Sequence, residues 1–431
     1  MLQTVRGMRV VLPAEARRFR LVEDLMRQVF LQYAYEEVQL PLLEATELFS
    51  RGVGEATDIV EKEMYVLQDR DGDSIALRPE GTAGCVRALE EAGCLYNQVQ
   101  RVFYSGPMFR YERPQKGRYR QFTQMGAEAF GFRGPDVDFE LLDMSYACWQ
   151  ALGIADAVQL EVNTLGSGDS RLAYRAALLN YLAPFARDLD ADSQRRLTTN
   201  PLRILDSKDP RTREIIAGAP ELPQYLDYES RVSFDALQGL LSDLQIPFVL
   251  NPTLVRGLDY YTHTVFEWTT QRLGAQGTIC AGGRYDGLVE TLGGRPTPAA
   301  GFAMGVERVV LLHEAMQPRA LAAGQSADVF ICIQDATLAG RALDVARQLR
   351  TDLPDLRVRT GLGGAKLKAQ FKKADDSGAR FAIIIGVDEV ARGVLTLKPL
   401  RAGDGEQMEL TPEALITHVA RGIRQAQAAP Q

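Results

Sequence analysis

The stretch Tyr104-Ser-Gly-Pro-Met-Phe-Arg-Tyr-Glu-Arg-Pro-Gln-Lys-Gly-Arg-Tyr-Arg-Gln-Phe-Thr-Gln-Met-Gly-Ala-Glu128 constrains the fold more than any other, because it reads as a strand, a basic loop and a returning strand. Residues two apart in a strand share a face. Met108, Arg110 and Glu112 therefore point one way on the outgoing arm, and Gln124, Gly126 and Glu128 share a face on the return. Arg110, Gln124 and Glu128 are expected on one sheet surface, around a glycine that leaves room for a ligand. Between the arms, Arg113, Lys116, Arg118 and Arg120 gather cations around the turn residues Pro114 and Gly117. A solvated hairpin tip over a structural sheet explains the charge pattern alone. A mixed polar set on a strand face beside a basic loop suits two ligands instead, a small zwitterion on the sheet and an anionic chain at the loop.

At 431 residues the chain has the length of roughly two to three domains. Its net charge of −7 excludes indiscriminate attraction to nucleic acid, so any such partner must use local basic surfaces. The five cysteines form no C-x-x-C pair and the three histidines are dispersed, so neither a zinc site nor a disulfide framework is expected. No signal-peptide core and no apolar run of membrane-spanning length is visible, and a cytoplasmic location is the expectation.

Taken in order, residues 15–33 carry Phe19, Val22, Met26, Val29, Phe30 and Tyr33 at helical spacing. A strand through Val38 and Leu40 is expected to stop at Pro41. Leu77-Arg-Pro-Glu-Gly-Thr-Ala ends a strand and opens a helix at Gly81 and Thr82. There, Glu80 and Thr82 either receive a substrate ammonium or serve as a solvated acid and a cap. A helix near residues 139–152 follows. From about 168 to 244 the pattern changes to short helices and turns, read as an inserted helical module. Sheet signals return at Phe248-Val-Leu250 and lead through Arg256-Gly-Leu-Asp-Tyr-Tyr-Thr262 to the strand Thr264-Val-Phe-Glu-Trp268. Gly282-Gly-Arg-Tyr-Asp-Gly287 reads as a turn, and Gly301-Phe-Ala-Met-Gly-Val-Glu-Arg308 as a strand entering a helix. Arg308 sits in that helix's first turn, where the dipole disfavours a cation, so a buried or ligand-facing role competes with a surface one. Residues 313–326 lack periodicity and are the expected linker. Beyond them strand and helix alternate, as in a separate α/β domain. Its Lys366, Lys368, Lys372 and Lys373 make either a solvated face or a nucleic-acid contact.

Neither a P-loop nor a dinucleotide fingerprint is present. Arg110, Arg256 and Arg308 come from three segments able to converge on one sheet. Guanidinium forks suit phosphate oxygens because each donates twice and keeps its charge when partly buried. Phosphorus-centred transfer depends on such positioning and neutralisation rather than on a strong base. The order of residues suggests no Ser-His-Asp or Cys-His arrangement.

These segments resemble a known family. The hairpin is similar to the second signature of class II aminoacyl-tRNA synthetases, Gly301-Phe-Ala-Met-Gly-Val-Glu-Arg308 to the third, and the helix–strand–Pro41 segment to the first. Arg256-Gly-Leu-Asp-Tyr-Tyr and Gly282-Gly-Arg-Tyr-Asp-Gly resemble the pair that marks the histidyl-tRNA synthetase family, and the likeness spans nearly the whole chain. It implies an α+β fold: an antiparallel-sheet catalytic domain over residues 1–320 with a helical insertion at about 168–245, and an anticodon-binding α/β domain over 327–431. It also implies a cytoplasmic homodimer, built across the first signature, that makes histidyl-adenylate from histidine and ATP with Mg2+ and then charges tRNA(His). On this resemblance Glu80, Thr82 and Gln124 hold the substrate ammonium, and Glu128 and Tyr261 read the imidazole with Tyr285 close by. Arg110 and Arg308 bind ATP phosphates, and Arg256 meets the carboxylate and α-phosphate, a role that a metal takes in some relatives. Gln115, Arg118 and Arg120 meet the acceptor end of the tRNA. One position departs: the family usually has Asp after Arg-Gly-x-x near the N-terminus, whereas this chain has Val10. The rival is a non-catalytic relative of the same fold, the regulatory subunit of ATP phosphoribosyltransferase, which normally lacks the last domain and the full histidine-specific set.

Overall fold

Six antiparallel strands form the centre of the first unit, with one parallel strand added at each edge. The spatial order is Glu36–Glu37, Gln100–Phe109, Gln121–Phe130, Ala299–Gly305, Thr278–Arg284, Thr262–Thr269, Gln159–Thr164 and Phe248–Leu250. The computed structural model describes residues 2–55, 57–274, 277–317, 326–401 and 405–428. Two units emerge, Met1–Gln317 and Pro318–Gln431.

The hairpin sets the register. Its arms pair Tyr104 with Gly126, Gly106 with Gln124 and Val102 with Glu128. The returning arm then pairs Glu128 with Gly301 and Gln124 with Gly305. Behind the sheet lie helices Pro13–Gln32, Pro135–Ala151, Tyr228–Asp243 and Val306–Met316, whose apolar stripes bury Phe30, Trp149, Leu237 and Val309 against Phe302 and Trp268. Trp268 donates its indole N–H to Ser145 at 2.8 Å, so the one polar atom of that buried ring is satisfied. On the opposite face a second apolar cluster joins Tyr104, Tyr261 and Tyr285 to Leu178, Leu182 and Ile204 of the short helices.

Several expectations change. The strand expected through Val38 and Leu40 is confined to Glu36–Glu37, and Val38 makes the last bond, to Phe103 O at 2.8 Å. It ends there because the Leu40 carbonyl accepts from the Arg78 guanidinium at 2.9 Å instead of from a strand. Gly282 and Gly283 lie inside the strand Thr278–Arg284 and not in a turn. A Cβ at either would collide with a neighbouring strand's carbonyl, Gly301 O or Thr264 O. The chain turns only after Arg284. Strand Gln159–Thr164, with Leu160 and Val162 buried, is not among the expected elements. Helix Tyr228–Asp243, expected in the inserted module, buries Phe234, Leu237 and Leu241 in the core behind the sheet. The helix Val306–Met316 runs through the first residues of the expected linker and buries His313, while residues 318–325 lie outside the described ones.

The second unit is a five-stranded sheet in the order Val358–Thr360, Val329–Ile333, Phe381–Ile385, Leu395–Pro399, Met408–Leu410. Its first three strands run parallel and the remainder antiparallel. Lys366, Lys368, Lys372 and Lys373 are exposed at and along the helix Leu367–Asp376. Among the described residues no helix is long and apolar enough to cross a membrane.

The first N–H groups of a helix have no partner within it and depend on a cap. Asp227 caps helix Tyr228–Asp243 through the Ser230 N–H at 2.8 Å and also accepts from the hydroxyls of Ser167, Ser170 and Ser230. The Ser167 hydroxyl and the Ser230 N–H together hold the carboxylate well below its usual range. A depressed carboxylate adds stability above its unfolded value and loses it as pH falls. Asp227→Ala is therefore expected to lower unfolding free energy by about 1 kcal/mol near neutral pH. The gap to the parent should close as pH falls below about 4, read by urea denaturation across pH. An equal gap at every pH would mean that packing, not charge, carries the effect.

Candidate functional site

A buried carboxylate lies beneath the site. Glu128 is fully buried in mid-strand. It accepts from Thr82 Oγ1 at 2.7 Å, from Tyr104 OH at 3.3 Å and from Tyr285 OH. Burial pushes its pKa up to about 8, against the opposing pull of the Tyr285 and Thr82 hydroxyls. Glycines make the room. A Cβ on Gly301 would fall on Glu128 Oε2, and one on Gly126 or Gly81 would enter the Tyr104 ring. The space beside Gly126 is thus filled by Tyr104 rather than left for a ligand, because the ring lies across the strand from it.

Glu80 sits where strand Ser74–Leu77 gives way to helix Thr82–Glu91. Its two oxygens accept from the N–H groups of Thr82 at 2.7 Å and Ala83 at 2.9 Å. The plainer alternative of a solvated acid beside a capping Thr82 is corrected: Glu80 is buried and itself caps the helix, and burial raises its pKa against those two N–H bonds. Above these groups opens a cleft of about 170 Å³, and Glu80, Thr82, Gln124, Tyr261 and Arg110 are among the residues that line it. Glu128 and Tyr285 lie behind the Thr82 wall.

Three of the expected arginines meet in this cleft: Arg110, Arg256 and Arg308 all line it. Arg110 is anchored by Nε to Pro79 O at 2.8 Å, with its guanidinium 5.3 Å from the Phe122 ring centre. Arg308 is anchored to Gly117 O at 3.1 Å and to Thr278 O at 2.7 Å. Burial lowers its pKa, with Arg118 and Arg110 adding to the effect and Glu112 opposing it. Arg256 is paired with Glu267; burial works against its charge, and Glu267 together with Tyr261 and Tyr260 outweighs it, so its pKa is raised. Two covered polar atoms lack a partner, Gln124 Oε1 and Arg256 Nε. One needs a donor and the other an acceptor, which is the pair that an ammonium and an anion supply.

The three expected tRNA contacts separate. Gln115 is exposed at the loop and exchanges two backbone bonds of 2.9 Å with Arg118. Arg118 folds inward to Glu112 and the cleft wall. Arg120 lies 3.6 Å from the Tyr111 ring centre and donates to Glu112 O at 3.1 Å. The exposed cations of the tip are Arg113 and Lys116. Val10 is exposed, so the departure from the family pattern buries nothing. Among the described residues no three His, Cys, Asp or Glu side chains are grouped as a metal site requires.

Residues missing from the sequence reading are Tyr104, Tyr260, Glu267 and Glu307. A bulky residue cross-strand from a glycine, Tyr104 opposite Gly126, was the available signal. Glu307 lines the cleft and accepts from the Thr123 N–H through both oxygens, and burial raises its pKa to about 7.

A family model described as histidyl-tRNA synthetase matches residues 7–309, and one described as anticodon binding domain matches residues 328–421. The chain belongs to the histidyl-tRNA synthetase family. The apo crystal structure of the S. aureus histidyl-tRNA synthetase is similar at 33% identity, covering 97% of this chain and 100% of that one, with a TM-score of 0.79. The Nostoc sp. enzyme, at 21% identity over 98% of this chain and 100% of that one with TM-score 0.70, shares the fold. So does a Bacillus halodurans protein described as an ATP phosphoribosyltransferase regulatory subunit/histidyl-tRNA synthetase, at 22% identity over 90% of this chain and 98% of that one, TM-score 0.64.

In this family member the Glu128 hydroxyl cage is testable by itself. Tyr285→Phe removes a donor that favours the charged carboxylate, so the Glu128 titration should move above about 8. Infrared difference titration, assigned with Glu128→Gln, reads it. An unmoved titration would remove Tyr285 from the cage.

Proposed function

We propose that the cleft makes histidyl-adenylate from histidine and ATP and then esterifies the 3′-terminal adenosine of tRNA(His). The observation that carries this reading is the meeting of three arginines with the partnerless Gln124 oxygen above buried acids. Gln124 Oε1, Thr82 and the free lone pairs of Glu80 receive the substrate ammonium. The imidazole N–H takes the remaining acceptor position of Glu128, which has about four lone-pair sites and three present donors. Tyr261 meets the other side of the ring, with Tyr285 holding Glu128 from behind. An amino acid without matching polar atoms leaves those groups buried and unpaired, a strong basis for rejection.

In the first step a carboxylate oxygen of histidine attacks the α-phosphorus and the bond to pyrophosphate breaks. The substrate is its own nucleophile, so the protein's work is alignment and charge stabilisation. Arg256 faces the carboxylate and α-phosphate, while Arg110 and Arg308 hold the outer phosphates. Mg2+ arrives with ATP as part of that substrate. In the second step a ribose hydroxyl of the terminal adenosine attacks the acyl carbon and AMP leaves. The loop carrying Gln115, Arg118 and Arg120 meets the acceptor arm, and the second unit, with its exposed lysines, reads the anticodon. A cytoplasmic homodimer is part of the same reading. The regulatory alternative is favoured by the likeness to the Bacillus halodurans protein.

The test is ATP–pyrophosphate exchange with each amino acid in turn. Exchange with histidine alone is expected; none, from folded protein, moves the weight to the regulatory role. In addition, Arg256→Ala should slow single-turnover adenylation by about a hundredfold or more while histidine binding changes far less. Normal single-turnover adenylation in that variant would sink the role of Arg256.

A further inference from the structure

The strand Ala299–Gly305 stops short of its neighbour. Its last pair joins Gly305 to Gln124. The neighbouring hairpin arm extends back to Gln121, still paired on its other side with Phe109. Thr123 lies one residue beyond the Gly305–Gln124 pair, where the chain opposite has already turned into helix Val306–Met316. Glu307 takes the place of the missing strand. Both its carboxylate oxygens accept from the Thr123 N–H, at 2.9 and 3.0 Å.

An acid in the first turn of a helix is favoured by the dipole alone. That plainer role is served by a carboxylate in solvent, whereas burying one is costly. Glu307 is buried and aimed at another strand. What its bond joins gives the reason. Glu307 precedes Arg308, which is anchored at Gly117 O and Thr278 O. Thr123 precedes Gln124, whose Oε1 has no partner and which lines the same cleft as Arg308. One carboxylate therefore ties the backbone beside the arginine to the backbone beside the unpaired acceptor.

We propose that Glu307 is a positioning residue that fixes Arg308 relative to Gln124, and so aligns ATP with histidine for attack at the α-phosphorus. The inference rests on the proposed synthetase reading and deepens it. Each ligand keeps its own holder when Glu307 is removed. Arg308 retains its two carbonyl anchors, and Gln124 retains its pairings with Gly106 and Gly305. What is lost is their mutual alignment, which counts at the transition state more than in binding.

Glu307→Ala and Glu307→Gln in the full chain test it. The readouts are single-turnover adenylation per active site, KM for histidine and ATP in pyrophosphate exchange, and hydrogen exchange of the Thr123 amide. Glu307→Ala should slow adenylation about thirtyfold, with both KM values within about threefold of the parent. Glu307→Gln keeps one acceptor oxygen and should recover most of the rate, since alignment asks for an acceptor and not for charge. The Thr123 amide should exchange about tenfold faster in Glu307→Ala and near the parental rate in Glu307→Gln. An unchanged rate per active site in Glu307→Ala would overturn the proposal, whatever that variant's stability. So would Glu307→Gln as slow as Glu307→Ala, or a loss carried entirely by KM. If the parent itself shows no pyrophosphate exchange, the synthetase reading fails, and the amide protection still decides whether Glu307 locks the two segments together.

Discussion

A carboxylate with no access to water is the constraint around which the first unit is built. Moving an ionised group out of water costs several kcal/mol unless donors replace the solvent. Thr82, Tyr104 and Tyr285 supply three, from a helix start, a neighbouring strand and the residue just beyond another strand. Each must approach within hydrogen-bond distance of one side chain, and that fixes where the strands can carry no side chain. Gly301 gives way to the Glu128 oxygens themselves, while Gly126 and Gly81 give way to the Tyr104 ring. The glycines, the hydroxyls and the acid are one packing solution, and changing any member leaves a clash or an orphaned polar atom.

The same dependence explains what was legible. Period-two alternation in the hairpin identified which residues share a face, and the structure keeps that pairing: Arg110 and Gln124 line one cleft above Glu128. Alternation cannot say what occupies the space beside a glycine. Gly126 was open to a ligand on pattern alone, but the cross-strand partner Tyr104 fills it. Gly282 and Gly283 carry the same ambiguity. A turn and a strand with no room for a Cβ both demand glycine, and only the neighbouring strand decides between them. Helix Tyr228–Asp243 follows the short helices in the chain, and sequence order alone groups it with them. Its apolar stripe instead fits the body of the sheet, a long-range preference that spacing does not encode.

Charge was read well in kind and less well in place. Three arginines from distant segments do converge, since the sheet order brings their strands and loops together. The loop cations do not behave as one cluster. Arg118 and Arg120 are drawn back by Glu112, one by its carboxylate and one by its carbonyl, leaving Arg113 and Lys116 at the tip. The deciding acid lies inside the same loop, so net loop charge overstated what is free to meet a polyanion.

Among the described residues, Arg256 is the arginine that forms a wall of both the cleft and an adjoining cavity of about 260 Å³. Glu267 holds it charged and fixed, yet its Nε–H remains without an acceptor. A guanidinium tethered at one edge and unsatisfied at another is prepared to accept an anion without first losing rotamer freedom. If each cavity delivers a phosphate or carboxylate to that side chain, the two ligands compete for the same donor. Attraction to one then weakens as the other arrives. The coupling requires no moving lid, only one arginine common to two adjoining walls.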